Sequence, residues 1–186
     1  MADINYRNPA AGSDSKAAEG RSGALKAGEL RWDFIELLFF AYRDFVGDAD
    51  HELEAFGFGR AHHRVLHFVH RYPGLKVADL LDVLRITKQS LGRVLKQLLD
   101  EGYIVQKAGN HDRRQRLLFA TAKGEALVGK LASLQTDRIS RALRELSPSG
   151  ADAVRQFLRA MIDHDDPDKV LETILATGNA TEKIKE

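Results

Sequence analysis

Apolar residues recur at a spacing of three to four along most of the chain, which predicts a mainly helical protein. The predicted helices cover residues 29–46, 60–72, 76–84, 87–101, 122–146, a segment restarting at Ser147-Pro148, and 168–176. Two short segments that contain β-branched or aromatic residues are predicted strands, namely Tyr103–Lys107 and Arg116–Ala120. The polar loop between them predicts a β-hairpin. Residues 1–28 show no sustained apolar period, so we expect a disordered tail.

The first predicted helix is apolar around most of its circumference. Leu30, Phe34 and Leu37 fall on one face, while Trp32 and Phe39 belong to the remainder. A helix of this kind must be buried on several sides. Because one small domain can hardly supply that cover, the pattern predicts a partner subunit. Ser147-Pro148 is expected to start a later helix that buries its own apolar residues, which are Val154, Phe157, Leu158, Met161 and Ile162.

The third and fourth predicted helices form a compact unit. The connector Arg85-Ile86-Thr87 separates them, Thr87 is a favourable N-cap, and Gly102 is favourable just beyond the last turn. A helix, a three-residue turn and a capped second helix are typical of a helix-turn-helix motif.

The helix that begins after Thr87 separates into two faces. The predicted buried stripe contains Leu91, Val94, Leu95, Leu98 and Leu99, and the opposite, candidate DNA-contacting surface contains Thr87, Lys88, Gln89, Ser90, Arg93 and Lys96. Short polar groups at the start of such a helix can reach base edges in the major groove, and cations can reach phosphates. Gly92 costs a helix about 1 kcal/mol relative to alanine, which favours a close approach to the backbone there. The alternative is the solvated face of an amphipathic helix.

The predicted hairpin that follows carries a dense basic cluster. Asp112, Arg113 and Arg114 lie at its tip and Arg116 on its flank. An arginine on a projecting loop can enter the minor groove, and a neighbouring carboxylate can orient it. The alternative is a charged turn that keeps the hairpin soluble. A helix-turn-helix followed at once by a basic hairpin is far more specific than either part.

The net charge of +1 conceals an uneven distribution. Residues 29–57 carry −6 and residues 145–186 carry −4, whereas residues 85–116, from the turn to the hairpin, carry +5. This asymmetry favours an anionic partner. The chain has no cysteine, which excludes disulfides and thiol chemistry. It has no apolar run of the roughly 18 residues that span a bilayer and no signal peptide, so we expect a cytoplasmic protein without a membrane partner.

Three short segments around the turn and hairpin form a recognisable pattern. They are Ile86-Thr87-Lys88-Gln89-Ser90-Leu91, then Leu98 to Ile104 with Asp112-Arg113-Arg114, and finally Ala120-Thr121-Ala122-Lys123-Gly124. In these segments the chain resembles the MarR-type transcriptional regulators, and the order of helices extends the resemblance over residues 30–163. Family members usually have Leu-Thr where this chain has Ala120-Thr121.

The resemblance implies a winged helix-turn-helix regulator that acts as a repressor or as a dual-role regulator. The sequence is compatible with control by a ligand, control by a metal, or constitutive activity. We expect neither an enzyme nor dependence on a cofactor. It assigns residues 29–57 and 122–164 to dimerisation and 58–121 to the DNA-binding lobe, with a short helix and tail at 165–186. The implied partners are a second copy of the chain and double-stranded DNA with a palindromic operator. Arg114 would enter the minor groove, positioned by Asp112.

The second predicted helix is rich in histidine. His63, His67 and His70 have the i, i+4, i+7 spacing that can bind a transition metal, but no acid lies within the same turns. We therefore favour a partly exposed cationic face, shared with neighbouring arginines, over a metal site. The family resemblance adds a third interpretation, in which His62, His63 and His67 line a cleft for a small aromatic or anionic effector.

Two other function classes compete with the regulator. An enzyme is disfavoured because the sequence has no glycine-rich phosphate loop, nucleophile elbow or paired-carboxylate motif. A winged-helix protein-interaction module would use the same fold without specific DNA binding. Substitution of Arg114 in a gel-shift assay distinguishes this module from the regulator.

Overall fold

The structure is a computed structural model, and it describes residues 30–109 and 115–162. In chain order the elements are α1 (Trp32–Glu54), α2 (Arg60–Arg71), β1 (Leu75–Lys76), α3 (Val77–Leu84), α4 (Lys88–Asp100), β2 (Ile104–Ala108), β3 (Arg116–Ala120), α5 (Ala122–Arg144) and α6 (Gly150–Ala160). The predicted tail at 1–28 and the predicted helix at 168–176 lie outside the described residues. The mainly α fold with a small wing is confirmed.

The wing is the hairpin formed by β2 and β3. It is part of a three-stranded antiparallel sheet with the strand order β1-β3-β2. The predicted hairpin is present, with Val105 opposite Phe119, and β2 begins one residue later than expected. Strand β1 was not predicted. It has two residues, of which Leu75 pairs with Leu118, and so short a strand leaves no alternating pattern in the sequence.

Helices α2 to α5 and the sheet enclose one hydrophobic core. The fully buried large side chains come from every layer of the lobe, and they include Leu66, Leu80, Leu91, Leu98, Leu118 and Leu131. The C-terminal half of α1 closes this core with Ala49 and Leu53. The lobe therefore buries its apolar residues within a single chain.

Helix α6 differs from the sequence-based expectation in two ways. It begins at Gly150, preceded by Ser149, so Ser147 and Pro148 lie in the turn before the helix. The apolar side chains that we expected it to bury are instead 37–52% exposed, from Val154 to Ile162. Although the rings of Phe157 and Phe34 lie 6.0 Å apart, no described element of the same chain covers this face.

None of the described helices has both the length and the hydropathy needed to cross a membrane.

Candidate nucleic-acid interface

Helix α4 presents the two faces that its sequence pattern predicts. Leu91, Val94, Leu95 and Leu98 are buried in the lobe, and Leu99 is half-buried against the same core. The six candidate contact residues are all exposed, which are Thr87, Lys88, Gln89, Ser90, Arg93 and Lys96. The structure therefore gathers these six residues on one solvent-facing surface, which we call the reading face.

The first turn of α4 is fixed by a side-chain cap. The Thr87 hydroxyl oxygen accepts a hydrogen bond from the Ser90 backbone N–H at 3.1 Å and donates to the Ser90 hydroxyl at 2.9 Å. The predicted N-cap is thus confirmed. Because these two side chains hold each other, Lys88, Gln89 and Arg93 are the longer groups left to project from this end of the helix. Lys96, one turn beyond Arg93, forms an exposed ion pair with Asp100.

Gly92 lies in the middle of the reading face. A Cβ atom built there would meet nothing within 4 Å, so the described part of the chain does not require glycine at this position. Its helical cost of about 1 kcal/mol is therefore not offset by close packing inside the lobe.

The wing is described up to the base of its loop. The Gly109 N–H donates to the Gln115 carbonyl oxygen at 3.0 Å, and Arg116 is exposed at the start of β3. Lys107 lies over the Phe119 ring at 4.9 Å. The predicted contact residues Asp112, Arg113 and Arg114 lie outside the described residues.

A histidine ties the middle of α4 to α2. The Gly59 N–H donates to Nδ1 of His62 at 3.1 Å, so Nε2 carries the ring proton of the neutral form and donates to the Gln97 side-chain oxygen at 2.9 Å. The imidazole also stacks on Phe58, with 4.7 Å between ring centroids. One ring nitrogen of His62 therefore caps the start of α2 and the other joins α2 to α4, a role that sequence reasoning did not find.

The C-terminal end of α4 is joined to the first turn of α5. Lys123 Nζ donates to the Glu101 carbonyl oxygen at 2.9 Å, and the Thr121 hydroxyl donates to the Gly102 carbonyl oxygen at 2.7 Å. At Gly124 a Cβ atom would overlap the carbonyl oxygen of Tyr103, which explains the glycine. The segment 120–124 therefore holds the C-terminal end of α4 against the first turn of α5.

The other histidines of α2 lie in a less polar setting. His63 and His67 are half-buried, and loss of hydration lowers the pKa of both imidazoles below the ordinary histidine value. Charge repulsion from His67 lowers the pKa of His63 further, and Arg71 does the same for His67. Both rings are thus neutral at neutral pH. Across residues 30–109 and 115–162, no three His, Asp or Glu side chains are placed to hold a metal ion.

The acidic side chains of α1 pair with basic residues of neighbouring helices. Asp48 accepts from Arg138 of α5 at 2.9 Å, and Glu52 forms an ion pair with Lys130 of the same helix. These bonds tie α1 to α5. The negative charges of Asp48 and Glu52 are therefore matched within the chain.

Comparison with known proteins extends this description. A sequence model of the MarR family matches residues 56–115, which include α2 to α4 and the start of the wing. The HTH-type transcriptional regulator PetP of Rhodobacter capsulatus is 46% identical over 151 residues, covering 81% of this chain and 91% of that protein.

Solved structures share the fold at lower sequence identity. MarR superposes with a TM-score of 0.56 at 20% identity, over 75% of this chain and 92% of that chain. The S. aureus MepR–DNA complex superposes with a TM-score of 0.57 at 21% identity, over 72% of this chain and 97% of that chain. The transcriptional regulator SlyA superposes with a TM-score of 0.60 at 18% identity, over 69% of this chain and 91% of that chain. With the match to the family model and the 46% identity to PetP, these findings show that the chain belongs to the MarR family of helix-turn-helix transcriptional regulators.

Proposed function

We propose that the protein is a homodimeric repressor that binds a palindromic operator in double-stranded DNA. The observation that carries this proposal is the reading face of α4, where six polar or cationic side chains are exposed beside a basic wing. The structural relative MepR has been solved as a DNA complex, which supports the same mode of binding for this fold.

Homodimerisation is supported by apolar side chains that the chain leaves in solvent. Trp32 is 61% exposed, Leu37 65% and Phe39 70%, and α6 adds Phe157 and Leu158 at 41% and 52%. Exposed apolar patches of this extent on a water-soluble fold mark interaction sites. A second copy presents the same patch, so a two-fold axis lets each surface cover the other.

In this proposal affinity and specificity come from different side chains. Lys88 and Lys96 neutralise phosphates, while Gln89 and Arg93 lie where a helix in the major groove reads base edges. At the wing, Arg114 enters the minor groove and Asp112 orients its guanidinium. Two lobes related by the dimer axis would contact half-sites about one helical turn apart. Occupation of that site blocks transcription, and this is the repressor part of the proposal.

The test compares base-reading and phosphate-binding variants on the DNA upstream of the protein's own gene. We expect Arg93→Ala to cost about 1–3 kcal/mol and to relax discrimination at one base position. Arg114→Ala should weaken binding through loss of the minor-groove contact. Unchanged affinity in both variants would contradict this account and favour a protein-interaction module. Folding of each variant is checked by thermal denaturation.

An effector contact on α2 is the last part of the proposal. His63 and His67 are half-buried and neutral, so their rings offer apolar edges and hydrogen-bonding nitrogens to a small aromatic anion. His62 is assigned to the same cleft, although its ring nitrogens already bond to Gly59 and Gln97. The test uses benzoate as the probe and measures DNA release. Release that persists unchanged in a His63→Ala, His67→Ala variant would contradict the assignment.

A further inference from the structure

Arg85, in the turn of the helix-turn-helix motif, has an unusual backbone conformation. With φ at 49° and ψ at 46° it is left-handed, and among the described non-glycine residues it alone has a positive φ. The other positive-φ positions in residues 30–109 and 115–162 are all glycines, namely Gly57, Gly74 and Gly102.

A left-handed residue directly after a helix is ordinarily glycine or asparagine. The Cβ of other residues crowds the adjacent carbonyl oxygen in this conformation, so arginine at this position makes folding less favourable. The turn needs the left-handed geometry, but nothing in that geometry needs a long cationic side chain. Folding of the turn therefore does not explain why an arginine occupies position 85.

The surroundings of Arg85 fix its backbone and leave its side chain available. Arg64 Nη2 donates to the Leu84 carbonyl oxygen at 3.0 Å, and the Arg85 N–H donates to the Leu81 carbonyl oxygen at 2.9 Å. The side chain is exposed, and within the described residues it makes no hydrogen bond, ion pair or ring contact. It projects from the turn that leads directly into the Thr87 cap and the reading face.

We propose that the Arg85 guanidinium binds a backbone phosphate of the DNA duplex beside the groove that α4 enters. This inference rests on the proposed DNA-binding function and adds a residue that the sequence analysis left in the connector. The planar guanidinium matches two phosphate oxygens and binds every sequence equally. Arg85 thus lowers the stability of the fold and raises the affinity for DNA. Replacing it with glycine should therefore raise stability and lower DNA affinity.

The experiment uses the full chain with Arg85→Gly, Arg85→Lys and the control Arg141→Gln. Arg141 is an exposed arginine in the last turn of α5, far along the chain from the motif, and its substitution removes the same charge. Because α5 belongs to the region expected to dimerise, gel filtration first checks that Arg141→Gln has the same oligomeric state as the wild type. Two measurements are made on each protein: the midpoint of thermal unfolding without DNA, and affinity for its own upstream DNA between about 50 and 200 mM salt.

We expect Arg85→Gly to raise the unfolding midpoint by about 2–4 °C, since the strained residue is relieved. Its DNA affinity should fall about tenfold, and the slope of log K against log salt should shrink by about 0.9 for each protomer's lost phosphate contact. Arg85→Lys should keep most of the affinity and the slope. Arg141→Gln should change neither.

Four results would overturn the inference. The first is wild-type affinity in Arg85→Gly while the wild type still binds DNA steeply with salt, which leaves the DNA-binding proposal intact. The second is an affinity loss with an unchanged slope, which indicates positioning instead of phosphate contact. The third is an equal loss in Arg141→Gln. The fourth is an unfolding midpoint that does not rise in Arg85→Gly. If the wild type itself fails to bind DNA, the proposed function fails as well.

Discussion

The winged lobe and the N-terminal half of α1 differ in the burial of their apolar residues. In the lobe, side chains such as Leu66, Leu98 and Leu118 are fully buried by other parts of the same chain. On α1, Phe39 and Trp32 are more than half exposed although their side chains are larger and mainly apolar. The apolar core of the lobe is covered within the chain, whereas the first half of α1 has large apolar side chains that no described part of the chain covers.

Placing a charge on the exposed surface of α1 should have the largest effect. In a symmetric dimer Phe39→Glu loses an apolar contact and buries an unpaired carboxylate on both protomers, so dimer affinity should fall at least about a hundredfold. Light scattering coupled to gel filtration measures the oligomeric state. The control Ala61→Glu adds the same charge at an exposed position of the lobe. Monomeric wild-type protein would contradict this part of the account.

Truncation inside the lobe should act on folding instead. Leu98 is completely buried between α4 and the rest of the core, so Leu98→Ala should lower the free energy of unfolding by about 2–5 kcal/mol. Chemical denaturation measures this change. The matched Phe39→Ala removes an exposed ring, and we expect it to weaken the dimer without comparable loss of lobe stability. Equal losses in the two variants would remove the distinction between the regions.

Within the lobe, Gly124 tests the connection between α4 and α5. A Cβ there would overlap the Tyr103 carbonyl oxygen, so Gly124→Ala forces the helices apart and should cost about 1–3 kcal/mol of stability. Gly129→Ala is the matched control on the same helix, because its Cβ would meet nothing within 4 Å. It should be neutral or stabilising by up to about 1 kcal/mol. Denaturation of both variants gives the comparison.

Gly92 tests what covers the reading face. Its Cβ would lie in open space, so Gly92→Ala should stabilise α4 by about 1 kcal/mol in the absence of DNA. If DNA approaches the helix backbone closely there, the same variant should bind its operator more weakly, by gel shift. A variant that is both more stable and equally tight on DNA would show that nothing approaches Gly92.

The histidines of α2 predict the smallest effect, a dependence of stability on pH. Folding lowers the pKa of His63 and His67, so the unfolded chain binds more protons below the ordinary histidine value of about 6.5. Stability is therefore intact above that pH and falls as the solution is acidified towards the folded-state values. Thermal unfolding at pH 7.5 and 5.5 should differ less in a His63→Gln, His67→Gln variant. An undiminished pH effect would assign it to other groups.

The sequence predicted the elements whose own pattern specifies them. Helix α4, its Thr87 cap and its two faces follow from local spacing, as does the hairpin. The features that the sequence did not predict depend on partners distant along the chain. Strand β1 forms by pairing with β3 at Leu118, and the His62 ring is held by Gln97, 35 positions away. The error at α6 has the same origin, because an apolar stripe on a helix does not show whether a distant part of the chain packs against it.

The dependence of DNA affinity on salt tests the central claim most directly. Fluorescence anisotropy with the protein's own upstream DNA, at about 50 to 200 mM salt, gives the slope of log K against log salt. If basic side chains of the reading face and wing neutralise about six or more phosphates per dimer, that slope is steeply negative, near −5 or beyond. A slope near zero would contradict the claim that the basic segment 85–116 is a DNA-binding surface.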